Sequence, residues 1–109
     1  MAYDRGLAER IRELLAQEPG YAERKMFGGI GFLLHGNMAC GVIKDALIVR
    51  VGLPDYEAML ALPDTRVFDI TGRAMKGWIM VSGAGYEDDE DLSRWVRRGT
   101  AFSLTLPPK

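Results

Sequence analysis

Four stretches of this sequence carry side chains whose types and spacing could do chemistry. Residues 25 to 42 read KMFGGIGFLLHGNMACGV, with Gly28, Gly29, Gly31 and Gly36 close together. Glycines placed like this could cradle a phosphate. A dinucleotide fingerprint, however, needs G-x-G-x-x-G between a strand and a helix. Here Gly29-Ile30-Gly31 is followed by Phe32, Leu33 and Leu34, so the third glycine is missing. More strand follows where a helix N-terminus would have to hold the phosphate. The strand period gives a plainer reading. Phe27, Gly29, Gly31 and Leu33 share one face, and Gly28, Ile30, Phe32 and Leu34 share the other. Phe27, Gly29 and Gly31 then form a strip, bare at its glycines, against which a helix or a second subunit can pack closely.

Cys40 is the only cysteine and His35 the only histidine. That excludes C-x-x-C and two-histidine metal motifs. A Cys40–His35 nucleophilic pair would also need a third, orienting group and oxyanion donors, and the sequence signals neither. Cys40, between Ala39 and Gly41, is expected as a small buried side chain, and His35 as an exposed turn residue. The acidic run Glu87-Asp88-Asp89-Glu90-Asp91 lacks the glycine and the spaced glutamate of a calcium loop. It precedes an amphipathic stretch carrying Arg94, Arg97 and Arg98, so it reads as the start of a helix, with a Glu90–Arg94 pair. No catalytic, cofactor-binding or metal-ligating residue is assigned, and no cofactor is expected.

The fourth stretch, GRAMKGWIMV, places basic groups beside Trp78. Arg50, Arg66, Arg73, Lys76 and Trp78 would form a basic and aromatic strip if their strands are neighbours. Such a strip suits a protein partner or single-stranded nucleic acid. The formal net charge of −1 gives no overall field favouring nucleic acid or an anionic membrane, so nucleic acid is not the favoured partner.

The elements that position these residues follow from periodicity. Leu7, Ile11, Leu14 and Leu15 predict a first helix, with Asp4 as its cap and Pro19-Gly20 as its stop. Lys25–Leu34, Met38–Ile43 and Leu47–Val51 predict three antiparallel strands joined by short turns. Pro54, Asp55 and Glu57 open a short second helix that Pro63 ends. Arg66–Ile70 and Gly77–Val81 predict two more strands around a turn at Thr71-Gly72-Arg73. Gly83-Ala84-Gly85 breaks the chain, and a helix runs from about Asp88 to Leu104. The 109 residues suit one domain, 1–109. The class is α+β: a two-layer α-β(3)-α-β(2)-α sandwich, with helices on one face of an antiparallel sheet. The charged opening MAYDRGLAERIRELL resembles neither a signal peptide nor a membrane span, so a cytoplasmic protein is expected.

At KMFGGIGFLLHGNMACGV and TGRAMKGWIMV the sequence resembles the TfoX/Sxy N-terminal domain family. The resemblance rests on Met26-Phe27-Gly28-Gly29, Gly31-Phe32, Asn37-Met38, Arg50, Gly72, Met75-Lys76-Gly77-Trp78 and Leu106-Pro107-Pro108, and spans Leu14 to Lys109. It implies the same α-β(3)-α-β(2)-α order, similar to secretion-chaperone-like folds. It also implies a bacterial regulator of natural competence genes that acts with a transcription activator of the cyclic-AMP receptor type. Family regulators carry a second, helical domain, and these 109 residues correspond to the first. The family brings no catalytic residues to carry over. The expectation is a non-enzymatic regulatory or interaction module and a homodimer, modulating transcription through a protein partner. Direct nucleic-acid binding and small-molecule binding are the alternatives.

Overall fold

The computed structural model of the chain describes residues 3–26, 28–69 and 72–109. Helix α1 (Arg5–Leu15) leads into strands β1 (Tyr21–Met26), β2 (Gly29–Leu34), β3 (Asn37–Ile43) and β4 (Ala46–Arg50). Helix α2 (Leu53–Leu60), strands β5 (Thr65–Val67) and β6 (Trp78–Val81), and helices α3 (Gly83–Tyr86) and α4 (Asp89–Ser103) follow. The six strands form one open sheet in the order β1-β2-β3-β4-β6-β5, with every pairing antiparallel. The α+β class and the antiparallel sheet are as expected.

The strand count differs, because four strands precede α2 rather than three. The apolar run Lys25–Leu34 folds back on itself, and Met26 pairs with Gly29 across a tight reversal. Gly28 lies in that reversal at φ +75°, a left-handed conformation that favours glycine. Gly28 is therefore a turn residue and not part of a strand face. Strand β1 also starts earlier, at Tyr21, and its charged middle, Glu23-Arg24-Lys25, hides it from an apolar-pattern reading. The segment Gly83-Ala84-Gly85 forms α3 instead of a break. Gly85 donates its N–H to the Ser82 carbonyl at 2.8 Å and packs where a Cβ would come within 2.5 Å of Val81. Phe27, Ile70 and Thr71 lie outside the described residues, and with them parts of the expected glycine strip, fourth strand and turn.

The helix ends are set by local chemistry. Asp4 accepts the Leu7 N–H at 3.0 Å, and Asp88 accepts the Glu90 N–H at 3.2 Å. Asp89, Glu90 and Asp91 occupy the first turn of α4, where acid complements the helix dipole. Arg94 pairs with Asp91, at 3.2 Å, rather than with Glu90. Helix α1 buries Leu7, Ala8, Ile11 and Leu15, and leaves Leu14 exposed.

The main core lies between the helices and one face of the sheet. It joins Ile11, Leu92, Trp95 and Val96 to Phe32, Cys40, Val42, Leu47, Val49, Ile79 and Val81. A second, smaller cluster of Ile43, Ala46, Ile48, Phe68 and Met80 occupies the other face. One irregularity decides which β3 residues face which way. Phe32 pairs with Cys40 and Leu33 with Met38, leaving Ala39 as an extra residue in a bulge. Helix α4 crosses at this point. A Cβ on Gly99 would stand 2.3 Å from the Ala39 carbonyl oxygen, so only a glycine lets the helix backbone come this close.

Candidate functional site

The outer face, away from the helices, carries one row of residues in register: Arg24, Gly31, Gly41, Ile48, Met80 and Arg66. Two glycines stand opposite each other in this row. The space above them is taken by thioethers of the same chain. A Cβ on Gly31 would meet Met26 Cε at 3.1 Å and Met38 Sδ at 3.2 Å, and one on Gly41 would meet Met38 Cε at 2.7 Å. Gly29 is different, because a Cβ there would stand 2.1 Å from the Val42 backbone oxygen.

Beside these methionines lies a cleft of about 310 Å³. Met26, Leu33, Met38, Phe68 and Met75 give it an apolar lining, and Arg24, Arg50 and Lys109 supply its charges. Among the described residues, no carboxylate side chain lines it. Trp78, tilted against Phe68 at 6.2 Å between centroids, forms one wall.

Arg50 pairs with Trp78 across the β4–β6 ladder. Its guanidinium carbon lies 5.0 Å from the Trp78 ring centre and 5.5 Å from that of Phe102 on α4. Both distances fall within cation–π range. Partial burial lowers its pKa below the ordinary arginine value. Among the described residues, no carboxylate lies within ion-pairing distance of Arg50 or Arg24, and no acceptor takes an Arg50 side-chain N–H. The helix side is arranged differently. There, Arg12 donates to Glu23 at 2.6 and 2.9 Å and to Glu9 at 2.7 Å, and Tyr21 donates its hydroxyl to Glu23.

Of the five residues in the expected basic strip, Arg50 and Trp78 meet in this cleft. Arg66 lies further along the outer row, Arg73 and Lys76 lie between β5 and β6, and all three are solvent-exposed. Sequence reasoning missed the roles of Met26, Met38 and Met75, quoted only for the resemblance, and of Arg24, Phe68 and Lys109. The pairing of Gly31 with Gly41 leaves a floor that only side chains reaching in from elsewhere can cover, and that pairing is set by strand register, which no local sequence signal announces.

Cys40 is fully buried on the helix face, which pushes its thiol pKa up to about 12 and leaves almost no thiolate near neutrality. His35 is exposed in the β2–β3 turn. The acidic run forms the α4 start, and Arg10 clamps it by donating to the Tyr86 and Glu87 carbonyls and to Asp89 at 2.8 Å. Among the described residues, no group of three or more His, Cys, Asp or Glu side chains could hold a metal ion.

The helix side offers a separate groove of about 260 Å³ between α2 and the end of α4, lined by Val51, Asp55, Met59, Arg98, Phe102 and Thr105 among others. Leu53 and Leu104, 67% and 51% exposed, belong to the same two segments. Among the described residues, no helix is long and apolar enough to cross a membrane.

The chain is thus a two-layer α+β fold with a cation-rimmed apolar cleft on its open sheet face. The chain belongs to the TfoX N-terminal domain family, whose model matches residues 13–103 of 109. This is a regulatory domain family associated with competence. A search of curated proteins found no match.

Proposed function

We propose that the domain is a cytoplasmic, non-enzymatic regulatory module that modulates transcription through a protein partner. The observation that carries this reading is the groove between α2 and α4. Among the described residues, the two most exposed large apolar side chains, Leu53 and Leu104, belong to the two chain segments that border it, and Met59 and Phe102 line it. Apolar side chains gathered at one groove are what a docking surface needs at its centre. Membership of a regulatory domain family supports the same reading.

The test is complementation. A strain lacking the protein should show altered competence-gene transcripts, and the wild-type chain should restore them. Leu53→Asp and Leu104→Gln should keep the fold by circular dichroism and fail to restore them. An acid at Leu53 suits the start of α2, so this change should not unfold the helix. Full complementation by both variants, or unchanged transcripts in the deletion strain, would sink the reading. Light scattering separates two kinds of partner. A wild-type dimer that Leu53→Asp dissociates assigns the groove to a second copy, whereas a wild-type monomer assigns it to a different protein.

A further inference from the structure

The outer-face cleft has features the partner reading does not use. Its volume, about 310 Å³, sits at the small end of small-molecule sites, which run from roughly 300 to 1,000 Å³. An extended peptide would need a longer trough. Three of its walls are methionines (Met26, Met38 and Met75), whose unbranched thioethers can re-pack around a flat or linear apolar body. Among the described residues, the charged side chains that line it are all cationic, and the least exposed of them, Arg50, has no carboxylate within ion-pairing distance. With aromatic rings on two sides, the guanidinium still has in-plane N–H donors, and these match the two oxygens of a carboxylate.

We propose that this cleft binds a small apolar carboxylate, an aryl or medium-chain acid. The hydrophobic body lies among Met26, Met38 and Met75, and the carboxylate lies on Arg50. The single half-buried cation fits a monoanion, and exposed Arg24 and Lys109 add attraction at the rim. The assignment stands independently of the partner reading, since it involves neither Leu53 nor Leu104.

The experiment titrates the full chain, labelled with ¹³C in its methionine methyls, with naphthoate and with its uncharged analogue naphthamide. Naphthoate should shift the Met26, Met38 and Met75 methyls and leave Met59, on the helix side, in place. Naphthamide should bind about tenfold more weakly, the expected loss of a charge-assisted hydrogen bond. Arg50→Met should remove the preference for the acid, and Arg50→Lys should restore part of it. An unchanged Met59 signal in the free variants reports that they are folded. If Arg50→Met does not fold, the acid–amide comparison on wild type still decides. Unmoved cleft methyls at millimolar naphthoate would overturn the proposal. So would equal binding of acid and amide, or binding of acidic, apolar peptides but not of naphthoate.

Discussion

The two faces of the sheet are built from alternate residues of the same strands, yet they solve different problems. The helix face is closed by branched and aromatic side chains at almost zero exposure, and several of its charges are paired, as in Arg12–Glu23. The outer face has a small cluster, flexible methionines over two facing glycines, and an arginine held by rings rather than by acids. The contrast teaches where this sequence spends its rigidity. Shape is fixed on one side, and adaptable surface is kept on the other.

Truncation is the sharpest way to break that comparison. Phe32→Ala, on the closed face, should cost about 3–5 kcal/mol in urea unfolding. Met38→Ala, on the open face, should cost about 1 kcal/mol. Equal losses would mean that the outer face is as tightly packed as the inner one.

Glycine replacement gives the next largest effect. Gly29→Ala drives a methyl into the Val42 carbonyl and should cost about 1–3 kcal/mol. Gly31→Ala meets only the ends of Met26 and Met38, which can swing aside, so its cost should stay below about 1 kcal/mol. The reverse order in thermal melts would put rigid structure over Gly31.

Sulfur chemistry reads the same contrast without mutation. Dilute peroxide should convert Met38 and Met75 to sulfoxides in the native protein, while Cys40 alkylation should wait for unfolding. Rapid native labelling of Cys40 would show that the helix layer opens readily. The smallest effect is one of pH. Arg12 and Tyr21 hydrogen bonds hold the Glu23 carboxyl below its ordinary pKa, and partial burial opposes them only in part. Its contribution to stability is therefore present above the ordinary carboxylate range and is lost as pH falls through the lowered native value. Glu23→Gln should flatten that acid limb slightly, and an unchanged limb would show that the pair contributes nothing.

Much of the architecture was legible because its signals are local. Asp4 and Asp88 announce helix starts, Pro54 opens α2, and His35-Gly36 marks a hairpin. The reversal at Gly28 was hidden because it sits inside an unbroken apolar run, where a turn leaves no polar punctuation. Part of the candidate site was legible too. Arg50 and Trp78 stand out as a cation and an aromatic on strands that turn out to be neighbours. The rest depends on distant pairing. Nothing near Met26 or Met38 says that both will lie over glycines on β2 and β3, or that Lys109 will come to the same cleft.

The bulge at Ala39 sets a phase. Two residues apart on a regular strand, Met38 and Cys40 would point the same way. The extra residue shifts β3 by half a period, so a single strand sends one sulfur to the open cleft and the other to the sealed core. Removing Ala39 would make Met38 and Cys40 neighbours on a regular strand, still on opposite faces, and would take out the local kink of the bulge. Helix α4, whose Gly99 rests on the Ala39 carbonyl, would at the same time lose the point that fixes its height above the sheet. One inserted residue thus keeps two surfaces of opposite character in step along the same few ångströms of chain.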